Sequence, residues 1–119
     1  MTASADPPKH HPAEPPMPPI PQGQTLFVVD LHYVVPLDTV ETHIDAHVDW
    51  LEACYARGLF LASGAKVPRT GGVIIATAAS KAELEGVLDQ DPFKRAGVAE
   101  YRVTEFNPSM TAPGLKSET

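Results

Sequence analysis

The sequence lacks several features that would assign it to a common functional class. Its 119 residues include one cysteine, which excludes an internal disulfide framework and a cysteine-only zinc site. Nine lysines and arginines stand against 15 acidic residues and form no basic patch, so nucleic acid is a poor partner. No apolar run approaches the ~20 residues that span a bilayer, and the N-terminus does not resemble a secretory signal. These absences predict a soluble cytoplasmic protein without a membrane partner.

Proline divides the chain into regions of different character. Eight of the 13 prolines lie in the first 21 residues, where large apolar residues are almost absent. The composition predicts a disordered, proline-rich tail over residues 1–24, a folded domain over 25–108 and a flexible C-terminal tail over 109–119. A domain of only about 85 residues buries a modest fraction of its surface, which favours dimerisation.

Segments rich in β-branched and aromatic residues indicate strands, and capping residues indicate where helices begin. A helix is expected from a cap at Asp38 or Thr39 to about Arg57, and a second helix begins at Ser80, with Glu83 completing a capping box. A loop is expected over residues 63–72. Four strands are predicted, over residues 26–35, 59–62, 73–78 and 99–106.

The order β-α-β-β-α-β is that of an α+β, ferredoxin-like fold, with a four-stranded antiparallel sheet and two helices on one face. In the first strand, the odd positions are all apolar and the even positions are mixed. The uncovered face of the sheet would carry Val28 and Val34 beside Asp30 and His32. A half-apolar face favours cover by a second copy of the chain. Asp30 and His32 are then interface contacts or, alternatively, a second acid–histidine pair.

His47 is the most informative position in the first helix. It falls in the middle of the apolar stripe, so a titratable ring points from the helix towards the sheet. A buried neutral histidine would explain this placement, and so would a general acid or base. The stripe consists of Val40, Ile44, Leu51, Cys54 and Tyr55.

Asp91 is the second candidate. Because Pro92 follows it, Asp91 is expected to cap a short helical turn that ends at Gly97. A capping carboxylate has two oxygens, so one can accept a backbone N–H while the other orients an imidazole. The structural and functional interpretations are therefore compatible.

The predicted loop carries polar residues suited to an anion. Lys66 and Arg69 supply positive charge and Ser63 supplies a hydroxyl, and two glycines close the segment. Their spacing matches no phosphate-binding pattern. The alternatives are a binding loop for an anionic ligand and a solvated hairpin loop.

The span 26–108 resembles the YciI-like family of small ferredoxin-like proteins. After an apolar first strand, the resemblance rests on three motifs in order: HVDWL at 47–51, GLFLASG at 58–64, and DPF at 91–93 followed by AGV at 96–98. The resemblance implies a dimer whose sheets form a barrel-like α+β assembly. It also implies an active site built on a histidine–aspartate dyad, which is His47 and Asp91 here. Many relatives carry arginine where this chain has Ile44 and proline where it has Ala65.

The leading hypothesis is a small enzyme of the lyase or isomerase type, without cofactor or metal. His47 would move a proton next to a carbonyl or phenol, and Asp91 would hold the imidazole tautomer. Ser63, Lys66 or Arg69 would bind the substrate and stabilise an oxyanion. The alternatives are a dimeric module that binds a small anion without catalysis, and a structural partner that presents the tail. The resemblance extends to enzymes of aromatic degradation, including dehydrochlorinases and muconolactone isomerases.

Overall fold

The computed structural model describes residues 18–116, which build one antiparallel sheet with helices on one face. The strands lie in the order β2-β3-β1-β4, and each neighbouring pair is antiparallel. Strands β1 and β2 therefore run in the same direction with β3 between them, which is the split βαβ arrangement. The predicted α+β ferredoxin-like fold is confirmed. The strands are β1 Thr25–Tyr33, β2 Phe60–Ala65, β3 Gly71–Ala78 and β4 Ala99–Phe106.

The core lies between the sheet and the helices. The odd positions of β1 face the helices, and Phe27, Val29 and Leu31 are buried among them, as the alternating pattern predicts. The partly buried Asp30 and exposed His32 lie on the other face, where Asp30 is in register with Arg102 of β4. The helices are α1 Leu37–Glu41, α2 Ile44–Ala56, α3 Lys81–Leu88 and α4 Pro92–Arg95.

The first predicted helix is interrupted, so the expectation of one helix to Arg57 was wrong. The N-cap of α1 is Pro36, without a side-chain capping bond, rather than Asp38 or Thr39. The Thr42 hydroxyl donates to the Thr39 carbonyl at 2.7 Å, a local bond that competes with helix continuation. The chain then enters α2 through His43, whose φ is −109°.

Half of the segment predicted as a loop over 63–72 is strand. β2 continues to Ala65 and β3 begins at Gly71, so the turn between them spans only residues 66–70. The Lys66 N–H donates to the Gly71 carbonyl at 2.9 Å and closes this turn. After an irregularity between Phe60 and Ala62, β2 brings Ser63 into register with Ile74 on the helix side of the sheet. The glycines and small side chains concealed this strand because they have low β-propensity.

The predicted caps of the later helices are present. The Ser80 hydroxyl accepts the Glu83 N–H at 3.1 Å, and the Glu83 carboxylate accepts the N–H of Ala79 rather than that of the cap itself. Asp91 caps α4, with Pro92 as its first residue. Gly97 follows α4 with a φ of 71°, the left-handed conformation that favours glycine at this position.

The two ends of the described chain lie together. Ile20 is 1% exposed and forms a parallel bridge with Lys116. The Ile20 N–H donates to the Leu115 carbonyl at 2.9 Å, and the Lys116 ammonium donates to the Pro108 carbonyl at 2.7 Å. Residues 18–24 thus pack more than the composition suggested, because one large apolar residue suffices to anchor them. Most of the predicted tail, residues 1–17, and residues 117–119 lie outside the described residues, and the domain limits stay a prediction.

Candidate functional site

His47 and Asp91 meet beneath the helices. His47 projects from α2, and Asp91 stands at the N-terminus of α4. The distance from His47 Nδ1 to Asp91 Oδ1 is 2.7 Å, and the two residues are 8% and 0% exposed. Because an ionised carboxylate only accepts hydrogen bonds, the ring donates its Nδ1–H and leaves Nε2 as the nitrogen available to a ligand. The structure brings together the two residues that the family resemblance implied as a dyad, and their role in chemistry stays a prediction.

The Asp91 carboxylate accepts hydrogen bonds from three donors, one from the backbone and two from side chains. Oδ1 accepts the Phe93 N–H at 2.9 Å in addition to the His47 ring, and Oδ2 accepts the Tyr101 hydroxyl. Burial raises the pKa of Tyr101 well above its ordinary range, and the charge of Asp91 and their hydrogen bond act in the same direction. Tyr101 therefore keeps its proton and acts as a donor. The carboxylate is fixed in position with both oxygens engaged.

Tyr101 is a site residue that was not predicted from the sequence. It lies on β4 in register with Leu31, on the helix side of the sheet. The signal that pointed to it is alternation along the last strand, where positions 101 and 103 are half-buried and their neighbours are exposed. Nothing in the local sequence indicates that its hydroxyl reaches Asp91.

Aromatic rings hold the imidazole in place. The ring of Phe93 stacks on that of His47, with centroids 3.8 Å apart and planes inclined by 4°. Trp50, one turn further along α2, lies 5.7 Å from the imidazole, and its indole N–H donates to the Val87 carbonyl. The orientation of the imidazole is thus determined by packing as well as by the bond to Asp91.

His47 lines a cavity of about 230 Å³ between α2 and the sheet. Ser63 and Arg69 line it as well, so the structure brings two of the three predicted ligand-binding residues to the histidine. The Ser63 hydroxyl is hydrogen-bonded to that of Tyr55 at 2.8 Å. The remaining walls are mainly apolar, from Leu31, Ile44, Val48, Leu51, Val73, Ile74 and Phe93.

Arg69 is paired within this cavity wall. Its Nη1 donates to Glu41 Oε2 at 3.0 Å, which links the turn after β2 to the end of α1. This hydrogen bond raises the pKa of Arg69, with a smaller contribution from the neighbouring Tyr33 hydroxyl. The guanidinium is therefore a fixed positive charge beside an apolar cavity.

Lys66 lies elsewhere. Its ammonium forms an ion pair with Asp30 on the outer face of the sheet, in a separate depression that also includes His32 and Arg102. The expectation that Lys66 and Arg69 act on one ligand beside His47 differs from this placement. The reason is an irregularity in β2 between Phe60 and Ala62, which inverts the alternation of the strand and directs position 66 away from the helices.

The described residues offer donors for acid–base chemistry rather than a metal cage. Within residues 18–116, no group of three His, Cys, Asp or Glu side chains is arranged to hold a metal ion. No helix in the same range is long and apolar enough to cross a membrane. A histidine with one nitrogen fixed by a carboxylate and the other at a cavity is an arrangement that can take and return a proton.

Comparison with known proteins agrees with this architecture. A solved dehydrochlorinase of 5-chloro-2-hydroxyhydroquinone from Burkholderia phenoliruptrix AC1100, in complex with 2,5-dihydroxybenzoquinone, is similar in fold, with a TM-score of 0.61 and 22% identity. The alignment covers 69% of this chain and 93% of that one. No curated protein sequence matches. Residues 26–107 match the YCII-related domain, more than half of the chain. This chain therefore belongs to the YCII-related domain family.

Proposed function

We propose that this protein is a small enzyme of the lyase or isomerase type that uses His47 as its general acid and base, without a cofactor. The observation that carries the proposal is the placement of one imidazole nitrogen on a buried carboxylate and of the ring on a cavity wall. A structural histidine would satisfy its ring equally well without lining a cavity. The substrate is a small cyclic compound derived from an aromatic ring or a lactone.

The mechanism follows from the two nitrogens of the ring. With Nδ1–H donated to Asp91, Nε2 has a free lone pair and takes a proton from a carbon next to a carbonyl, or from a phenol. The imidazolium that forms is stabilised by the negative charge of Asp91. The electron pair left on the substrate moves to the carbonyl oxygen, where the positive Arg69 and the hydroxyl of Ser63 stabilise it. The same nitrogen then returns the proton at another atom, or a leaving group departs.

The similar dehydrochlorinase supports this class of reaction for the present chain. Loss of HCl from a ring requires a base that removes a proton as chloride leaves with the bonding electrons. His47 supplies the base, and the apolar walls around it accommodate the ring of the substrate. No added oxidant or reductant is required, because the overall change is an elimination.

The test is chloride release from 5-chloro-2-hydroxyhydroquinone under anaerobic conditions, with enolisable lactones as a second panel. The His47→Gln variant is expected to lose about 100- to 10,000-fold in rate, as general-base removal does. His43→Gln is the matched control, because His43 lies one turn earlier and does not line the cavity. Equal rates for His47→Gln and wild type would refute the proposal. If the wild type binds one of these compounds but turns none of them over, the protein is a non-catalytic binding module.

We also propose that the protein is a homodimer formed through the outer face of the sheet. That face carries the half-buried Val28 and Ile75 next to charges of both signs, including Asp30 and Arg102. Apolar area flanked by complementary charges suits a two-fold contact, where the same patch meets itself. The helices pack on the other face, so the dimer leaves the His47 cavity intact.

A further inference from the structure

Arg69, the positively charged residue beside the cavity, is already paired with a carboxylate of the protein itself. Among the described residues that line the cavity, Arg69 is the one with a permanent charge, and its guanidinium is bound to Glu41. An anionic ligand in the cavity must therefore compete with Glu41 for the same donor. The affinity of the site for an anion is set by both residues.

The position of this ion pair suits exchange. The side chains of Arg69 and Glu41 are 34% and 57% exposed, whereas that of His47 is 11% exposed, so the pair lies on the solvent side of the cavity. Exposed ion pairs contribute little stability, so a better-placed anion displaces one at small cost. Release of Arg69 from Glu41 also leaves the core undisturbed. Glu41 is exposed, and α1 contributes only Val40 to the buried residues.

The cavity itself restricts which anions can reach Arg69. A cavity of about 150 Å³ is enough for benzene, so about 230 Å³ holds a single ring with a substituent. The walls around His47 are apolar and bury the ring of such a ligand. The guanidinium presents a planar pair of donors that matches a carboxylate in two parallel hydrogen bonds, as Glu41 does in part.

We propose that Glu41 is a specificity-determining residue of the site: it occupies Arg69 until a flat, single-ring ligand bearing a carboxylate displaces it. A carboxylate then replaces a carboxylate, so the charge on Arg69 stays compensated throughout. Neutral rings of the same shape gain nothing from the exchange. This inference rests on the proposed function in taking the His47 cavity as the substrate site, and it concerns the order of affinity: ring ligands with a carboxylate bind more tightly than neutral ones of the same shape.

Benzoate is the probe, and its uncharged isostere benzamide is the matched ligand. Dissociation constants are measured by calorimetry for wild type, Glu41→Gln, Arg69→Gln and the control Glu85→Gln. The control also removes one negative charge, from an exposed position on α3 that does not line the cavity. All four proteins are compared at the same ionic strength, because exposed charges are screened by salt.

Glu41→Gln is expected to tighten benzoate binding by about two- to fivefold, the equivalent of one exposed ion pair, and to leave benzamide binding unchanged. Arg69→Gln is expected to abolish the preference for benzoate over benzamide. An unchanged benzoate constant in Glu41→Gln, or an equal gain in Glu85→Gln, overturns the inference. Benzoate cannot be turned over, so this failure is distinct from a failure of chloride release, which concerns the proposed reaction alone.

Discussion

Replacement of Asp91 by alanine tests whether one carboxylate supports both the fold and the histidine. The substitution removes the acceptor from three donors at once: the Phe93 N–H, the His47 ring and the Tyr101 hydroxyl. Asp91 is completely buried, so the Phe93 N–H and the His47 ring lose their acceptor away from solvent. We therefore expect a loss of stability larger than that of a typical surface cap.

The magnitude follows from the three contacts. Loss of the α4 cap costs about 1 kcal/mol. A buried His47 Nδ1–H without an acceptor costs about 1–3 kcal/mol. The half-buried Tyr101 hydroxyl turns to water and costs at most about 1 kcal/mol. The expected total for Asp91→Ala is about 2–5 kcal/mol. Asp91→Asn keeps an oxygen for Phe93 and for His47, so its cost is about 1–2 kcal/mol.

The free energy of unfolding is measured by urea titration, followed by circular dichroism. Asp89→Ala is the nearby control, because its pair with Lys94 is exposed and its loss is expected to cost less than about 0.5 kcal/mol. Imidazole ¹⁵N chemical shifts report in parallel whether Nδ1 carries the hydrogen in wild type. An Asp91→Ala variant within about 1 kcal/mol of wild type, or no costlier than Asp89→Ala, would show that the carboxylate network does not hold the site together.

Three further predictions concern pH, packing and assembly. Burial and Asp91 raise the pKa of Tyr101 above its ordinary 10.0, so stability held by its neutral form is complete below pH 10.0 and falls as pH rises. The free energy of unfolding falls by at most about 1.4 kcal/mol per pH unit. Urea titrations below and above pH 10.0 should show this fall in wild type and not in Tyr101→Phe. The same pH dependence in both proteins would contradict the prediction. A Cβ on Gly71 would clash with the Leu31 carbonyl oxygen, so Gly71→Ala should destabilise the pairing of the central strands β1 and β3. Gly86→Ala meets open space and should stabilise α3 by up to about 1 kcal/mol. Val28→Lys should convert the proposed dimer to a folded monomer in light scattering, and an unchanged dimer mass would exclude the outer face as the interface.

The sequence located the histidine and the aspartate because each stands in a local pattern. His47 is central to a helical stripe, and Asp91 precedes a proline, so both could be placed within about one turn of chain. Glu41 and Tyr101 could not be found in this way. Their roles depend on the break after α1 and on the register of β4 against β1, which are set by tertiary packing.

Lys66 illustrates the same limit from the other side. The sequence grouped it with Arg69 because they are three residues apart in a segment that looked irregular. The structure extends β2 to Ala65 with an irregularity between Phe60 and Ala62, so Lys66 follows the strand onto the outer face. Arg69 lies in the turn and lines the cavity on the helix side. An irregularity in the strand that the sequence did not predict was enough to assign a residue to the wrong surface.

Because Ile20 and Lys116 form a bridge, the chain could be circularly permuted while its strands and helices keep their places in the fold. Since these residues are neighbours, a short linker could join them and new ends could be opened at another turn. The turn at Gly97 is suitable, because it lies outside the strands and its backbone is exposed. A chain permuted in this way would present α4 and the Asp91 cap near its new C-terminus. The site would then depend on the last residues synthesised, and the folding of the sheet could be followed before the carboxylate arrives.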